Sequence, residues 1–176
     1  MTYCVGMLLD RGLVLMSDTR TNSGVDNIST FRKMHCWSVP GERIVTIMTA
    51  GNLATTQSVI SQIEERNKAH DDRHNSLLEA ETMFQVAAHV GKLLRDTIAA
   101  SDAQNGEEAG SGTFTASMIV AGQIGNGEQR LFLVYPEGNF IEASFDTPFF
   151  QIGETKYGRP ILIRGYDRDM SFEDAA

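Results

Sequence analysis

A chain of 176 residues, 41% apolar and 22% charged, has the length and composition of one globular domain rather than a fibre, a disordered tail or a membrane protein. Its formal net charge of −8 argues against nucleic acid as a main partner, because phosphate backbones are bound by basic patches. Two cysteines, Cys4 and Cys36, are too few for a disulfide framework and read as free buried thiols.

The chain opens MTYCVGMLLDRGLVLMSDTR. Asp10 and Arg11 interrupt the first apolar run and no basic region precedes it, so no signal peptide is expected and the cytoplasm is the default compartment. No window approaches the roughly 20 apolar residues of a membrane helix. TYCVGMLL and LVLMSD flank the turn DRG and predict a hairpin. TRTNSGVDNIST is polar and predicts a loop. KMHCWSV and RIVTIMTAG flank PGE as a second hairpin, apolar on both faces, which suggests a sheet covered on both sides.

Helical periodicity then takes over. Leu53, Val59, Ile60 and Ile63 share one stripe, and Leu77, Met83, Phe84, Ala87, Val90, Leu94 and Ile98 another. Ser76 with Glu79 predicts a capping box at the start of the second helix. DAQNGEEAGSGT reads as an acidic loop, and its NGEEAGSG lacks the lysine of a phosphate-binding loop. FTASMIVAGQI and QRLFLVYPEG predict a third hairpin around GNGE, followed by a short strand in NFIEASF. Ser171 in SFEDAA predicts a helix N-cap with acidic residues in the first turn. Because strands and helices come in blocks, the expected class is α+β.

Four residues suggest chemistry. Thr2 follows the initiator Met1, so removal of Met1 would place a hydroxyl and a free α-amine on adjacent carbons, a nucleophile with its own base. An α-amine has a pKa of about 8 and accepts a proton near neutrality. Lys33, placed beside the hydroxyl, would stabilise developing negative charge and lower the amine pKa. Asp18 would serve as its counter-ion, and Gly51, where a strand hands over to a helix, could present a backbone N–H to an oxyanion. Spacing alone does not separate this set from a surface ion pair and a plain turn glycine. Cys4 lies inside an apolar run and reads as an inert thiol rather than a nucleophile. His35, His70, His74 and His89 show no metal-ligand spacing, so neither metal nor cofactor is expected.

TYCVGMLLDRGLVLMSDTRTNSGVDNISTFRKM resembles the opening of proteasome-type β-subunits, most closely the bacterial Anbu (ancestral β-subunit) branch of the N-terminal nucleophile hydrolases. TAGNLATTQ resembles the family's glycine turn and first helix, and FFQIGETKYGRPIL its later glycine segment. The resemblance implies a four-layer α-β-β-α sandwich and self-assembly into a ring or helical ring. It implies a threonine peptidase or amidohydrolase with Thr2 as nucleophile, Asp18 and Lys33 as supporting ion pair, and Gly51 at the oxyanion hole. Asn22 and Leu53 fall where substrate main chain and the specificity pocket are contacted. Any unfolding engine would be a separate ATPase or adaptor acting on a peptide or protein substrate. Residues 1–176 would form a single such domain lacking its C-terminal helices and strands. Two departures accompany it: Gly153 is followed by Glu154 where the family usually has serine, and the family's bracing Asp and Ser fall beyond Ala176. A self-assembling scaffold without peptidase activity and a small-amide hydrolase on the same fold remain the alternatives.

Overall fold

Apolar side chains on both faces of the central strands oblige those strands to be covered twice. The computed structural model describes residues 2–22, 28–68, 76–105 and 114–176, with the backbone alone at 21, 22, 28, 29 and 105. Met1, His70, His74 and most of the acidic loop lie outside the described residues.

The three expected hairpins form. Strands β1 (Tyr3–Leu9) and β2 (Gly12–Ser17) pair antiparallel, as do β5 (Met34–Val39) with β6 (Arg43–Gly51) and β7 (Ala116–Ile124) with β8 (Arg130–Val134). β9 (Phe140–Glu142) extends the second sheet to the order β5-β6-β7-β8-β9, and β10 (Phe149–Gly153) completes a first sheet of order β10-β1-β2. Helices α1 (Leu53–Lys68) and α2 (Met83–Asn105) connect β6 to β7.

Period-two alternation sorts the layers. Val45, Ile47, Met118, Val120, Phe132 and Val134 point to α1 and α2 and pack on Val59, Ile63, Val86, Val90 and Leu94. Their neighbours Met48, Ala50, Ile119, Ala121 and Leu131 point the other way and meet Cys4, Phe150 and Ile152 of the first sheet. On the outer side of that sheet, opposite Cys4, the helix α3 (Gly158–Gly165) begins against the Tyr3 ring. The following Tyr166 hydroxyl donates to the Leu8 carbonyl. The α-β-β-α order is therefore the fold. Among the described residues no helix is long and apolar enough to cross a membrane.

Several local expectations need correction. The segment read as a loop carries a two-stranded ribbon, β3 (Arg20–Asn22) with β4 (Ile28–Thr30), in which the β-branched Thr21, Ile28 and Thr30 are set among polar residues that mask the strand signal. Ser76 does not cap a helix: its hydroxyl accepts from the Leu78 amide at 3.1 Å in a turn. The second helix instead starts at Met83, where the Thr82 hydroxyl accepts from the Gln85 amide at 3.2 Å and the Gln85 side chain accepts from the Glu81 amide at 2.8 Å. Phe84 leaves the core stripe, 53% exposed and edge-on to Phe140. Cys4 is a buried free thiol, but Cys36 is exposed on the edge strand β5. Ser171 caps α4 (Phe172–Ala175) as expected, accepting from the Asp174 amide at 3.1 Å.

Candidate active site

Thr2 is held by its backbone. Its carbonyl accepts from the Glu154 amide at 2.7 Å, and Tyr3 pairs with Gly153 at the end of the β1–β10 ladder. Gly153 has φ +87°, and a Cβ there would overlap the Thr2 carbonyl oxygen. Only glycine combines that backbone angle with that approach. Gly153→Ala is therefore expected to lose about 1–3 kcal/mol of stability. It should also displace Thr2 and slow any reaction at this hydroxyl by roughly 100-fold, since small misplacements of a reacting group are costly. Urea unfolding and covalent labelling rates check the two effects separately.

Asp18 follows β2 and is locked to the same strand. Its amide donates to the Tyr3 carbonyl at 3.0 Å while the Tyr3 amide donates back to Asp18 Oδ1 at 2.9 Å. The Arg20 amide donates to Oδ2 at 3.1 Å. Lys33, just before β5, is 5% exposed and donates its Nζ to both carboxylate oxygens, at 2.7 and 2.8 Å, and to the Arg20 carbonyl. A buried ammonium requires such partners. Burial pushes the Asp18 carboxyl up, but the Lys33 ammonium and the Tyr3 and Arg20 amides outweigh it and hold the group below the ordinary carboxylate value.

Gly51 ends β6 with φ +113°, and a Cβ there would sit 2.5 Å from the Thr115 carbonyl. The Thr49 amide donates toward β5, to the Lys33 carbonyl at 2.9 Å, and the Asn52 amide toward β7, to the Thr115 carbonyl at 2.9 Å. Strand N–H groups alternate sides, so Gly51 N–H is directed with that of Thr49, past the end of β5. Asn52 then caps α1, its side-chain oxygen accepting from the Thr55 amide at 3.0 Å.

These elements enclose a cavity of about 360 Å³ lined by Thr2, Lys33, Gly51 and Leu53. Four sequence-predicted residues thus share one cavity, and Asp18 joins them through Lys33. Asn22 lies in β3 opposite Ile28, and its side chain is outside the described residues. Cys4 is withdrawn from this chemistry: burial first, then the Asp18 charge, pushes its thiol up to about 12. Sequence reasoning missed the Tyr3 amide, the Arg20 carbonyl and the role of Gly153, all of which depend on strand pairing. It also missed His35 as a residue that lines the cavity. Among the described residues no group of three or more His, Cys, Asp or Glu is placed to hold a metal ion.

The Proteasome subunit family profile matches residues 2–176. A proteasome subunit beta from Methanopyrus kandleri is 24% identical over 178 residues, covering 99% of this chain and 73% of the relative. Solved structures are more similar. Anbu (ancestral beta-subunit) from Yersinia bercovieri shares 44% identity with a TM-score of 0.88, over 99% of this chain and 70% of that one. The helical assembly of the Anbu complex from Pseudomonas aeruginosa gives 45% and 0.89 over the same shares, and Anbu from Hyphomicrobium sp. strain MC1 gives 46% and 0.85. A profile match from Thr2 to Ala176, joined to this likeness in fold and sequence, shows that the chain belongs to the proteasome-subunit family, in its Anbu branch.

Proposed function

We propose that this chain is a cytoplasmic N-terminal threonine hydrolase that cuts peptide or other amide bonds. Removal of Met1 frees the Thr2 amine. That amine takes the proton from Thr2 Oγ as the oxygen attacks the carbonyl carbon, and the Gly51 N–H donates to the oxyanion. The amine then gives the proton to the departing nitrogen. Water, deprotonated by the same amine, hydrolyses the ester left on Thr2. Lys33 stabilises the negative charge and lowers the amine pKa, and Asp18 holds Lys33 in place. Leu53 walls the pocket for the substrate side chain and Asn22 contacts the substrate main chain.

The observation that carries this reading is the convergence of Thr2, the Lys33–Asp18 pair and the Gly51 turn on one cavity. Likeness to the helical Anbu assembly supports homo-oligomerisation, with any ATPase or adaptor as a separate partner. The test is intact mass measurement of protein purified from its own host, before and after a peptide epoxyketone, which reacts with adjacent alcohol and amine. The expected masses lack one methionine and then gain one probe on Thr2. Retained Met1, or no adduct, overturns the hydrolase reading and leaves an assembly role.

A further inference from the structure

Resting on the hydrolase reading, we propose that the cavity beside Thr2 selects an acidic side chain, Asp or Glu, on the acyl side of the scissile bond, with Arg32 and His35 as specificity-determining residues. The charges around the cavity carry the argument. Phe31, Ala50, Leu53 and Ile60 give it apolar wall, and Thr49, Thr56, Gln57 and Ser61 give it neutral polar groups. Among the described residues no carboxylate lines it, although the chain carries 23 Asp and Glu against 15 Lys and Arg. Two cations do, Lys33 and Arg32. Lys33 is neutralised by Asp18. Arg32 is exposed and forms no ion pair among the described residues, and the Glu64 carboxylate of α1, which acts on His35, is not among the residues that line the cavity.

His35 adds direction. It is half-buried on β5 and its ring stacks on Trp37 with 6.2 Å between centroids. It lies three residues after Arg32 and lines the same cavity. Burial holds its pKa below the ordinary histidine value, so the neutral ring, with one N–H, is the form that can donate to a carboxylate oxygen. Gln57 and Ser61, one turn apart on α1, complete the rim with an amide and a hydroxyl able to donate to carboxylate oxygens. A purely apolar side chain would leave these groups facing it without gain. A lysine or arginine would meet Arg32 with no carboxylate among the described lining residues to receive it. Electrostatic complementarity of this kind discriminates between ligands chiefly by penalising the wrong sign.

The experiment uses the full chain and three peptide epoxyketones identical except for Glu, Leu or Lys next to the warhead. Adduct formation on Thr2 is followed by intact mass. The Glu probe is expected to react faster than the Lys probe by about tenfold, since exposed charges discriminate only modestly, and the ratio should shrink with added salt. Arg32→Glu should reverse the order, and Arg32→Lys should keep most of the preference. Arg32 is exposed, so these variants should fold. A second measurement separates this inference from the hydrolase reading. Binding of acetylated peptides ending in Glu, Leu or Lys amide is measured on the Thr2→Ala protein by calorimetry. No labelling by any probe, with tighter binding of the Glu peptide, would remove the nucleophile but keep the acidic specificity. Labelling in which Leu equals or exceeds Glu, or equal binding of all three peptides, overturns the proposal.

Discussion

Thr2→Ala is expected to abolish covalent labelling and peptide hydrolysis while leaving the fold in place. The contacts that fix the start of β1 are made by the backbone: the Thr2 carbonyl with the Glu154 amide, and the Tyr3 amide with Asp18. Alanine retains all of them, and a side chain that is only half-buried leaves no large cavity behind. The thermal midpoint should correspond to a change within about 0.5 kcal/mol. The hydroxyl has no substitute in the cavity, because Cys4 is buried with a raised pKa and the lining hydroxyls of Thr49, Thr56 and Ser61 have no α-amine beside them to take their proton. The rate should therefore fall by at least roughly 1,000-fold, about 4 kcal/mol of barrier. Thr2→Ser should restore labelling. Hydrolysis persisting at the original rate in the alanine variant would remove Thr2 from the mechanism.

Asp18→Asn is expected to damage both stability and reaction. The substitution leaves the Lys33 ammonium, 5% exposed, without its counter-ion. Losing one partner of a buried pair costs roughly 3 kcal/mol, moderated here because Lys33 keeps the Arg20 carbonyl. The amide side chain also cannot accept from Tyr3, Arg20 and Lys33 together as a carboxylate does. A displaced Lys33 no longer supports charge at Thr2, so labelling should slow by about 1,000-fold. The pH dependence has a definite sign. The Asp18 carboxyl titrates lower in the folded chain than in the unfolded one, so folding favours its ionised form. Its contribution is complete above the ordinary carboxylate value of 3.8 and is lost as pH falls through the lower folded value. Urea midpoints measured between pH 2.5 and 6 should show the gap between native and Asp18→Asn proteins widening with pH and then levelling. A gap that does not change across this window would show that the carboxylate charge is not what stabilises the pair.

Turn chemistry and hydrophobic period were enough to place the three hairpins, the first helix, the cap at Ser171 and the α+β class, because each depends on residues adjacent in the chain. The chemical candidates Thr2, Asp18, Lys33 and Gly51 were also legible from residue type and from likeness to a known family. Pairing of distant strands decided the rest. Tyr3 meets Gly153 only because β10 returns to lie beside β1, and that ladder turns a glycine with no local signal into the backbone clamp on Thr2. The β3–β4 ribbon forms within a polar segment whose composition reads as a loop, and it brings the Arg20 carbonyl to Lys33. Arg32 and His35 became neighbours of Thr2 only when β5, β6 and α1 closed a cavity around them. A single sequence encodes local preference directly. Which side chains face each other across two sheets is settled by packing the entire chain at once, and the composition of the cavity follows from that packing.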